Sequence, residues 1–488
     1  MLRADNRCTK TREHHINLKG FKLNRALKLA LCLSVGVGIY LCPGPKGITS
    51  VSWQIFSIFT ATIFGIILKA MPVGSLCIFA LTVAVLGKSL TIQEALSGFG
   101  NPVIWLIVLA FFIARSFVKT GLGNRIAYAF IYLTGKKSLT LSYGLAAGDL
   151  LLAPAIPSNT ARAGGIFFPI VKSLAEVFDS TPEKGTQKKL GSFLLQSSFH
   201  CNHVTSAMFI TSMAANPLAV HIAGLQGVSI SWLKWAAVAM VPGVCTLLLV
   251  PAILFRLSPP ELTSTPDAKQ MAKDELARMG SLKYDEKCLL GVFLFLLVGW
   301  IFPEALGGAS ATTVALGGLS ILLLTNVLNW EDIKSEKSAW DTLVWFSVLI
   351  TLATFLDKTG FIKIMGAIVS DASSGLSPLM SGGLLISAYF FIHYFFASST
   401  AHVSALYGTF LTLGISAGLP PLAFALLLGF TSNLYSGLTH YSVGHAPIFF
   451  GAQYVDIGTW WRNGLIICGL NLIIWSAWII FGSYLSLF

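Results

Sequence analysis

The stretch Pro154-Ala155-Ile156-Pro157-Ser158-Asn159-Thr160-Ala161-Arg162-Ala163-Gly164-Gly165 interrupts the otherwise apolar region 139–174. Two prolines stop a helix before the Ser-Asn-Thr triplet, and two glycines follow it. A related stretch, Ser398-Ser399-Thr400-Ala401-His402, stands 240 residues later (398 − 158) and interrupts the apolar region 379–415. We therefore predict that both regions turn back on themselves at their polar triplets.

The composition around these stretches is that of a membrane protein. Of 488 residues, 55% are hydrophobic and 11% are charged, which is far from the balance of a soluble domain. Apolar stretches long enough to cross about 30 Å of hydrocarbon recur from Leu23 to the C-terminus. The sequence thus predicts an all-α polytopic membrane protein.

Hydropathy and loop charge together predict about eleven transmembrane helices. They are Leu23–Leu41, Val51–Ile67, Val73–Leu86, Val103–Val118, Leu190–Ala219, Trp235–Phe255, Cys288–Phe302, Thr312–Leu328, Leu343–Leu356, Pro421–Phe450 and Gly464–Tyr484. The regions 139–174 and 379–415 are left out of this count, because polar backbone at membrane depth is tolerated only beside protein or a watery cavity. We expect them to be re-entrant hairpins that line a site.

The net charge of +12 lies in the loops and predicts the orientation of the chain. A basic tail, 1–22, precedes a first transmembrane helix within 23–50, and a basic linker loop, 256–287, divides the chain in two. The other basic residues placed on the same side are Lys136, Lys137, Lys184, Lys188, Lys189, Lys334 and Lys337. The pattern predicts a cytoplasmic N-terminus and an outside C-terminus, in a bacterial inner membrane more than in an organelle. No basic stripe interleaves with aromatics, which disfavours nucleic acid as a partner.

The two halves contain an internal duplication. Trp105–Arg125 resembles Trp345–Lys363, with Trp and Lys-Thr-Gly in both, and Thr205–Phe209 resembles Thr431–Tyr435. Each half, 51–255 and 288–488, holds five predicted spans, and an odd number forces opposite orientations. We therefore predict two inverted repeats, a plan that places one substrate site near the midplane of many secondary transporters. The alternative interpretation is a gene duplication that was retained only for symmetric packing and has no role in transport.

The two triplets are the candidate substrate-binding residues. Ser158, Asn159 and Thr160, with Ser398, Ser399 and Thr400, supply hydroxyl and amide groups beside helix starts, where an anion is favoured. Arg162 cannot be neutralised in practice and needs an anion at membrane depth. That anion is either the substrate or Asp149 in the same hairpin. At the equivalent place, His402 is a cation, a neutral donor or an ordinary core residue.

Two further polar segments predict helices that unwind at mid-membrane. The candidate residues in them are Thr205, Ser206, Asn216 and Pro217 in the first half, and Ser432, Asn433, Thr439 and His440 in the second. His440 and His445 have no Asp, Glu or Cys nearby, and the eight cysteines are scattered without a CxxC pair, so we expect no metal site and no cofactor.

With these motifs, the sequence resembles the divalent anion:sodium symporter family. The stretches "PSNTAR", "SSTAHVSALYGTF", "TSAMFITSMAANP" and "THYSVGHAPIFFGAQYV" are most similar to its exchanger branch, the 2-oxoglutarate/malate translocators and bacterial citrate/succinate antiporters. The resemblance implies a homodimer in membrane lipid, with scaffold domains at its centre and transport domains that slide as elevators. It also implies that the two triplets hold the two carboxylates of the substrate.

This sequence departs from the sodium-coupled branch of the family, in which both triplets are Ser-Asn-Thr. The second triplet here is Ser-Ser-Thr, and Arg162 and His402 follow at positions where fixed cations could replace sodium. A carrier with unpaired buried charge would return empty at a high cost, which favours obligatory exchange of C4/C5 dicarboxylates of the 2-oxoglutarate, malate and succinate type.

Other functions remain as alternatives. A sodium-coupled dicarboxylate or tricarboxylate symporter is the main one, and a passive channel is another. An intramembrane enzyme would need a nucleophile and base or paired carboxylates, and the apolar regions contain almost no Asp or Glu.

Overall fold

A computed structural model describes residues 24–361, 364, 377–396 and 398–487, and all regular elements among them are helical. The predicted tail, 1–22, lies outside the described residues. The α-helices are α1 Arg25–Leu41, α2 Ser50–Ile67, α3 Val73–Leu86, α4 Ile92–Leu96, α5 Pro102–Thr120, α6 Leu122–Thr134, α7 Ser138–Leu152, α8 Phe168–Val177, α9 Gly191–Met208, α10 Ala215–Leu225, α11 Trp232–Leu257, α12 Pro266–Met279, α13 Tyr284–Ile301, α14 Ala311–Leu324, α15 Trp330–Ser335, α16 Lys337–Lys358, α17 Pro378–Ile392, α18 Ser399–His402, α19 Gly408–Ser416, α20 Pro421–Leu434, α21 Ala446–Gly451 and α22 Ile457–Tyr484. The all-α class is confirmed for this part of the chain.

Among the described residues, six helices are long and apolar enough to cross a membrane by length and composition. They are α2, α5, α11, α16, α22 and the segment Pro378–Phe395, which is α17 extended by a 3₁₀ turn. The last of these was predicted as one arm of a re-entrant hairpin, and its 18 residues are as long as α2. The count of eleven crossings stays a prediction.

Short polar side chains begin many of the apolar helices. Asn24, Thr49, Ser231, Ser310 and Asp456 each accept a hydrogen bond from the backbone N–H three residues later. This capping satisfies donors that the first helical turn leaves free, which matters most where no water can replace them. The boundaries of the apolar helices are therefore encoded locally.

The linker 256–287 is not the loop that its polarity predicted. Helix α11 runs to Leu257, and α12 occupies Pro266–Met279 and packs on α6. The charged residues of α12 lie around an apolar face on which Ala268 and Ala272 are fully buried. An amphipathic surface helix has low mean hydropathy, so hydropathy alone reads it as a loop.

Helices α9 and α20 lie at the centre of the protein. Every residue from Phe193 to Met208 and from Ala423 to Leu434 is buried. Such a helix, enclosed on all sides, must pair its polar groups internally. These are also the helices whose ends carry the predicted interruptions, so the interruptions lie deep in the structure.

Several local features of the first half recur in the second. Short capped helices, α4 and α15, precede the long helices α5 and α16, and each begins with a reciprocal pair of side-chain and backbone hydrogen bonds. The Lys-Thr-Gly stretches at the ends of α5 and α16 both finish in left-handed glycines, Gly121 with φ 77° and Gly360 with φ 76°. Glycine adopts this conformation without steric cost, which explains why both copies of the turn contain it.

Candidate functional site

The first triplet forms the start of a helix, in a segment that we call tip 1 (residues 153–160). Ser158 accepts hydrogen bonds from the backbone of Ala161 through Oγ (3.1 Å) and of Arg162 through its carbonyl (3.0 Å). A π-helical turn, Ala161–Phe167, follows directly and leads into α8. Ser158, Asn159 and Thr160 are all half-buried, so tip 1 is accessible at its polar end.

The second triplet repeats this arrangement in tip 2 (residues 396 and 398–400). Ser398 accepts from the backbone of Ala401 through Oγ (3.4 Å) and of His402 through its carbonyl (3.1 Å). A π-helical turn, Val403–Tyr407, again follows. Such turns are uncommon and occur often at functional sites. Ser398 is exposed, Ser399 is buried and Thr400 is half-buried.

The hydroxyls of Thr160 and Thr400 are the uncommitted groups of the two tips. Within the described part of the chain, neither hydroxyl has a hydrogen-bond partner, whereas Ser158 and Ser398 cap helices and Ser399 contacts Ser436 (Oγ to Oγ, 3.1 Å). A half-buried hydroxyl without a protein partner is a ready donor for a ligand. The two threonines are also equivalent in sequence, 240 residues apart (400 − 160).

Gly444 lies against the Thr160 hydroxyl and leaves room for it. The glycine is exposed, and a Cβ atom added to it would stand 2.8 Å from Thr160 Oγ1. No side chain of ordinary size fits there without displacing that hydroxyl. The sequence did not single out this glycine.

The Arg162 guanidinium is fully enclosed, and all five of its N–H groups have protein partners. Nε donates to Asp149 Oδ1 (3.0 Å), and Nη1 donates to the carbonyls of Ile156 (2.7 Å) and Ser212 (2.7 Å). Nη2 faces Ser206 Oγ (2.7 Å) and Thr205 Oγ1 (3.5 Å). The side chain is 0% exposed. Of the two anions that the sequence left open for Arg162, the structure shows Asp149 beside it.

Asp149 is itself surrounded by donors. Its carboxylate accepts from Asn202 Nδ2 (3.1 and 3.0 Å) and from the Thr205 hydroxyl, in addition to Arg162. A buried ion pair is tolerated when both partners are hydrogen-bonded in this way. The pair joins α7, tip 1 and α9, and its two formal charges cancel.

His402 is enclosed by aromatic rings. Its Nδ1 lies 2.9 Å from Tyr435 Oη, and its ring meets those of Tyr389 (centroids 4.4 Å apart) and His393 (5.2 Å) edge to face. The side chain is 0% exposed, so it lies behind tip 2, in the way that Arg162 lies behind tip 1.

The first interruption separates α9 from α10. Phe209 and Met213 have extended backbones on either side of a 3₁₀ turn. The freed carbonyl of Ser206 accepts from Ser212 Oγ (2.5 Å) and Asn216 Nδ2 (2.8 Å), and that of Phe209 accepts from the same two groups. The polar residues thus replace the helical hydrogen bonds that the break removes.

The second interruption, between α20 and α21, uses an equivalent hydrogen bond. Ser442 Oγ donates to the Ser436 carbonyl, as Ser212 does to Ser206, and the offset is 230 residues in both positions (436 − 206 and 442 − 212). Pro217 and Pro447 follow with the same offset. The sequence match of Thr205 with Thr431 is therefore four residues out of register with the equivalent contacts.

The interruptions are also shorter than the polar pattern predicted. Of the eight candidates, Thr439 and His440 lie in non-helical backbone, whereas Thr205, Ser206, Ser432 and Asn433 belong to α9 or α20 and Asn216 and Pro217 to α10. The Asn216 side chain donates to the freed carbonyls of Ser206 and Phe209, so polar residues mark the flanks of this break more than the break itself. His440 is half-buried and accepts from Trp461 Nε1 (3.4 Å).

Contacts within and between the halves bring the two tips to one segment of the chain. Tip 1 reaches residue 444 through Thr160, and tip 2 reaches residue 436 through Ser399. Asn433 Nδ2 donates to Asn216 Oδ1 (2.8 Å) and so joins the two broken helices directly. Both triplets therefore border the second interruption.

Among the described residues, no group of three or more His, Cys, Asp or Glu side chains is arranged to hold an ion.

Long apolar helices, with two capped polar tips that border interrupted helices, form the architecture of a membrane transporter. The chain belongs to the family described as "Sodium:sulfate symporter transmembrane region", which matches residues 23–488. The predicted family is thereby confirmed.

Relatives in bacteria and plants are similar over nearly the whole chain. The Bacillus subtilis (strain 168) protein named "Putative malate transporter YflS" is 49% identical over 92% of this chain and 94% of its own length. "Dicarboxylate transporter 1, chloroplastic" of Spinacia oleracea is 46% identical over 92% of this chain and 79% of its own.

Solved structures of the same fold are much more distant in sequence. The YdaH transporter of Alcanivorax borkumensis has a TM-score of 0.57 at 13% identity, covering 95% of this chain and 97% of its own. MtrF of Neisseria gonorrhoeae has a TM-score of 0.55 at 13% identity, covering 94% and 95%. These likenesses concern the fold alone.

Proposed function

We propose that this protein is a secondary active transporter that exchanges C4/C5 dicarboxylates of the 2-oxoglutarate, malate and succinate type. The observation that carries the proposal is the pair of uncommitted hydroxyls, Thr160 and Thr400, at equivalent places in two tips that border one segment. Two equivalent groups suit a ligand with two equivalent charges. The names of the malate and dicarboxylate transporters among the relatives support the same substrate class.

The finer architecture proposed here is two inverted repeats, each with a re-entrant hairpin and a broken helix. The matching caps, π-helical turns and left-handed glycines support the repeat. Contacts between the two halves support the symmetry of the repeats. Helix α8, which follows tip 1, packs on α21 of the second half (Phe168 to Phe449, ring centroids 5.2 Å apart). Helix α19, which follows tip 2, contacts the end of α10 in the first half (Gln226 Nε2 to Gly408 O, 2.9 Å).

An elevator motion of a transport domain against a scaffold, in a homodimer, completes the proposed mechanism. An apolar cavity of about 280 Å³ separates the helix after tip 2 from α2 and α16, and Phe56, Ser404 and Thr412 are among the residues that line it. A loosely packed apolar boundary of this kind allows two bodies to slide without breaking hydrogen bonds.

The proposed location is a bacterial inner membrane, with the N-terminus in the cytoplasm and the C-terminus outside. Three of the loops placed inside by their charge lie together, because the Glu261 N–H donates to the Lys188 carbonyl (3.2 Å) and Lys137 pairs with Ser264. Their common position supports one basic face, as the positive-inside rule requires.

Sodium-coupled symport of dicarboxylates or tricarboxylates is the second candidate function. It is favoured by the charge balance behind tip 1, where Asp149 neutralises Arg162. Of the two residues that were expected to replace sodium with a fixed positive charge, only His402 then remains. The description of the family names a sodium symporter as well.

Counterflow in proteoliposomes separates the two candidates. With internal malate, uptake of labelled 2-oxoglutarate is expected to run at the same rate in sodium and in choline, and to stop when the internal malate is omitted, because an exchanger returns only when loaded. Uptake that requires sodium and needs no internal substrate would instead identify the symporter.

A further inference from the structure

The hydrogen-bond networks behind the two tips are built at equivalent positions. In the first half, Asp149 bonds Asn202 and Thr205, and Arg162 bonds Thr205 and Ser206. The counterparts of Asp149 and Arg162, 240 residues on (389 − 149 and 402 − 162), are Tyr389 and His402. Those of Asn202 and Thr205, 230 residues on (432 − 202 and 435 − 205), are Ser432 and Tyr435.

These counterparts repeat two of the contacts with different chemistry. Tyr389 Oη lies 2.8 Å from Ser432 Oγ, as Asp149 lies beside Asn202. Tyr435 Oη lies 2.9 Å from His402 Nδ1, as Thr205 lies beside Arg162. Each network connects the helix before a tip, the second residue after the triplet and the end of the broken helix of the same half.

The two networks differ in formal charge. The first contains a cation and an anion, both buried, while the second contains no carboxylate. Equivalent geometry with and without an ion pair indicates that the shared task is mechanical. All five Arg162 donors end on protein atoms, which leaves none for a dicarboxylate.

We infer that Arg162 with Asp149, and His402 with Tyr389, are positioning residues that hold each tip against its own broken helix, and that Arg162 is needed as half of a neutral pair and makes no contact with substrate. The inference refines the proposed function and depends on it for its transport readout. It replaces the direct role in binding that the sequence suggested for Arg162 and His402.

A charge-removal cycle tests the first pair. Asp149→Asn and Arg162→Gln each leave one buried charge without its partner, so each is expected to lower the melting temperature in detergent by roughly 5 °C or more and the counterflow rate by about tenfold or more. The double variant restores neutrality and is expected to be less damaged than either single variant in both measurements. Asp179→Asn, which removes an exposed carboxylate paired with Lys184, is the control and should match wild type.

A substrate-binding Arg162 would behave differently. Arg162→Gln and the double variant would then share the same large rise in KM, and Asp149→Asn would keep the wild-type KM or lower it, and this pattern would overturn the inference. If the Asp149→Asn variant cannot be produced in folded form, the melting temperature, counterflow rate and KM of Arg162→Gln are compared with those of the double variant alone.

Tyr389→Phe tests the second pair. It removes the hydroxyl bonded to Ser432 and is expected to lower the melting temperature with an unchanged KM, whereas a tenfold higher KM would place Tyr389 at the substrate. The melting measurements need no transport, so they stand even if wild-type protein fails to exchange dicarboxylates, which would refute the proposed function alone.

Discussion

Replacing both Thr160 and Thr400 with valine is expected to lower dicarboxylate counterflow more than about 100-fold, because each hydroxyl bond to a carboxylate contributes roughly 1.5–3 kcal/mol. Valine has the shape of threonine, and neither hydroxyl has a partner among the described residues, so folding should be nearly unaffected. Initial rates in proteoliposomes measure the loss, and each single variant is expected to show part of it.

The matched control is Thr82→Val on α3, where the exposed hydroxyl bonds only the carbonyl of Ile78 in its own helix (2.9 Å). This variant should transport at the wild-type rate. If the double variant at the tips also kept a rate within about threefold of wild type, a difference below roughly 0.7 kcal/mol, the two hydroxyls would not be substrate ligands.

The substitution Gly444→Ala is expected to reduce counterflow about tenfold or more while the protein stays folded. The new methyl group would stand 2.8 Å from Thr160 Oγ1 and would force that hydroxyl to rotate away from its place. The glycine has no positive φ, so alanine fits its backbone, and the effect is confined to the neighbouring side chain.

Gly165→Ala provides the comparison for this variant, because a Cβ there meets nothing within 4 Å although the residue lies in the same π-helical turn as Arg162. Equal transport by the two alanine variants would show that the space beside Thr160 is not used. Melting temperatures of both should stay close to that of wild type, which excludes misfolding as the cause of a lost rate.

The sequence predicts a helix start at each triplet because the signals for it are local. Pro154 and Pro157 precede the first triplet, and the serine of each triplet caps the helix that follows it. The spacing of 240 residues between Ser158 and Ser398 therefore carries over directly into equivalent backbone structures.

The complete enclosure of the Arg162 side chain could not be predicted from local sequence signals. Asp149 is a candidate partner from its position in the same region, but three of the four remaining donors go to Thr205, Ser206 and Ser212, on another helix and its interruption. Sequence shows which residues are charged, and only the packing of three elements shows that this cation is enclosed.

The broken helices illustrate a different limit. The run of polar residues predicts an unwound segment, whereas Ser206 and Asn216 are helical, and the Asn216 side chain donates to the Ser206 carbonyl that the break frees. The offset of 230 residues between equivalent positions becomes apparent only from the structure, in which Ser212 and Ser442 make the same hydrogen bond.

A structure determined with bound 2-oxoglutarate tests most directly whether tip 1 and tip 2 together hold one dicarboxylate. One carboxylate is expected within about 3.0 Å of Thr160 Oγ1 and the other within the same distance of Thr400 Oγ1, with Arg162 still paired to Asp149. A ligand that contacts one tip alone, or one that takes the place of Asp149 on Arg162, would contradict this expectation.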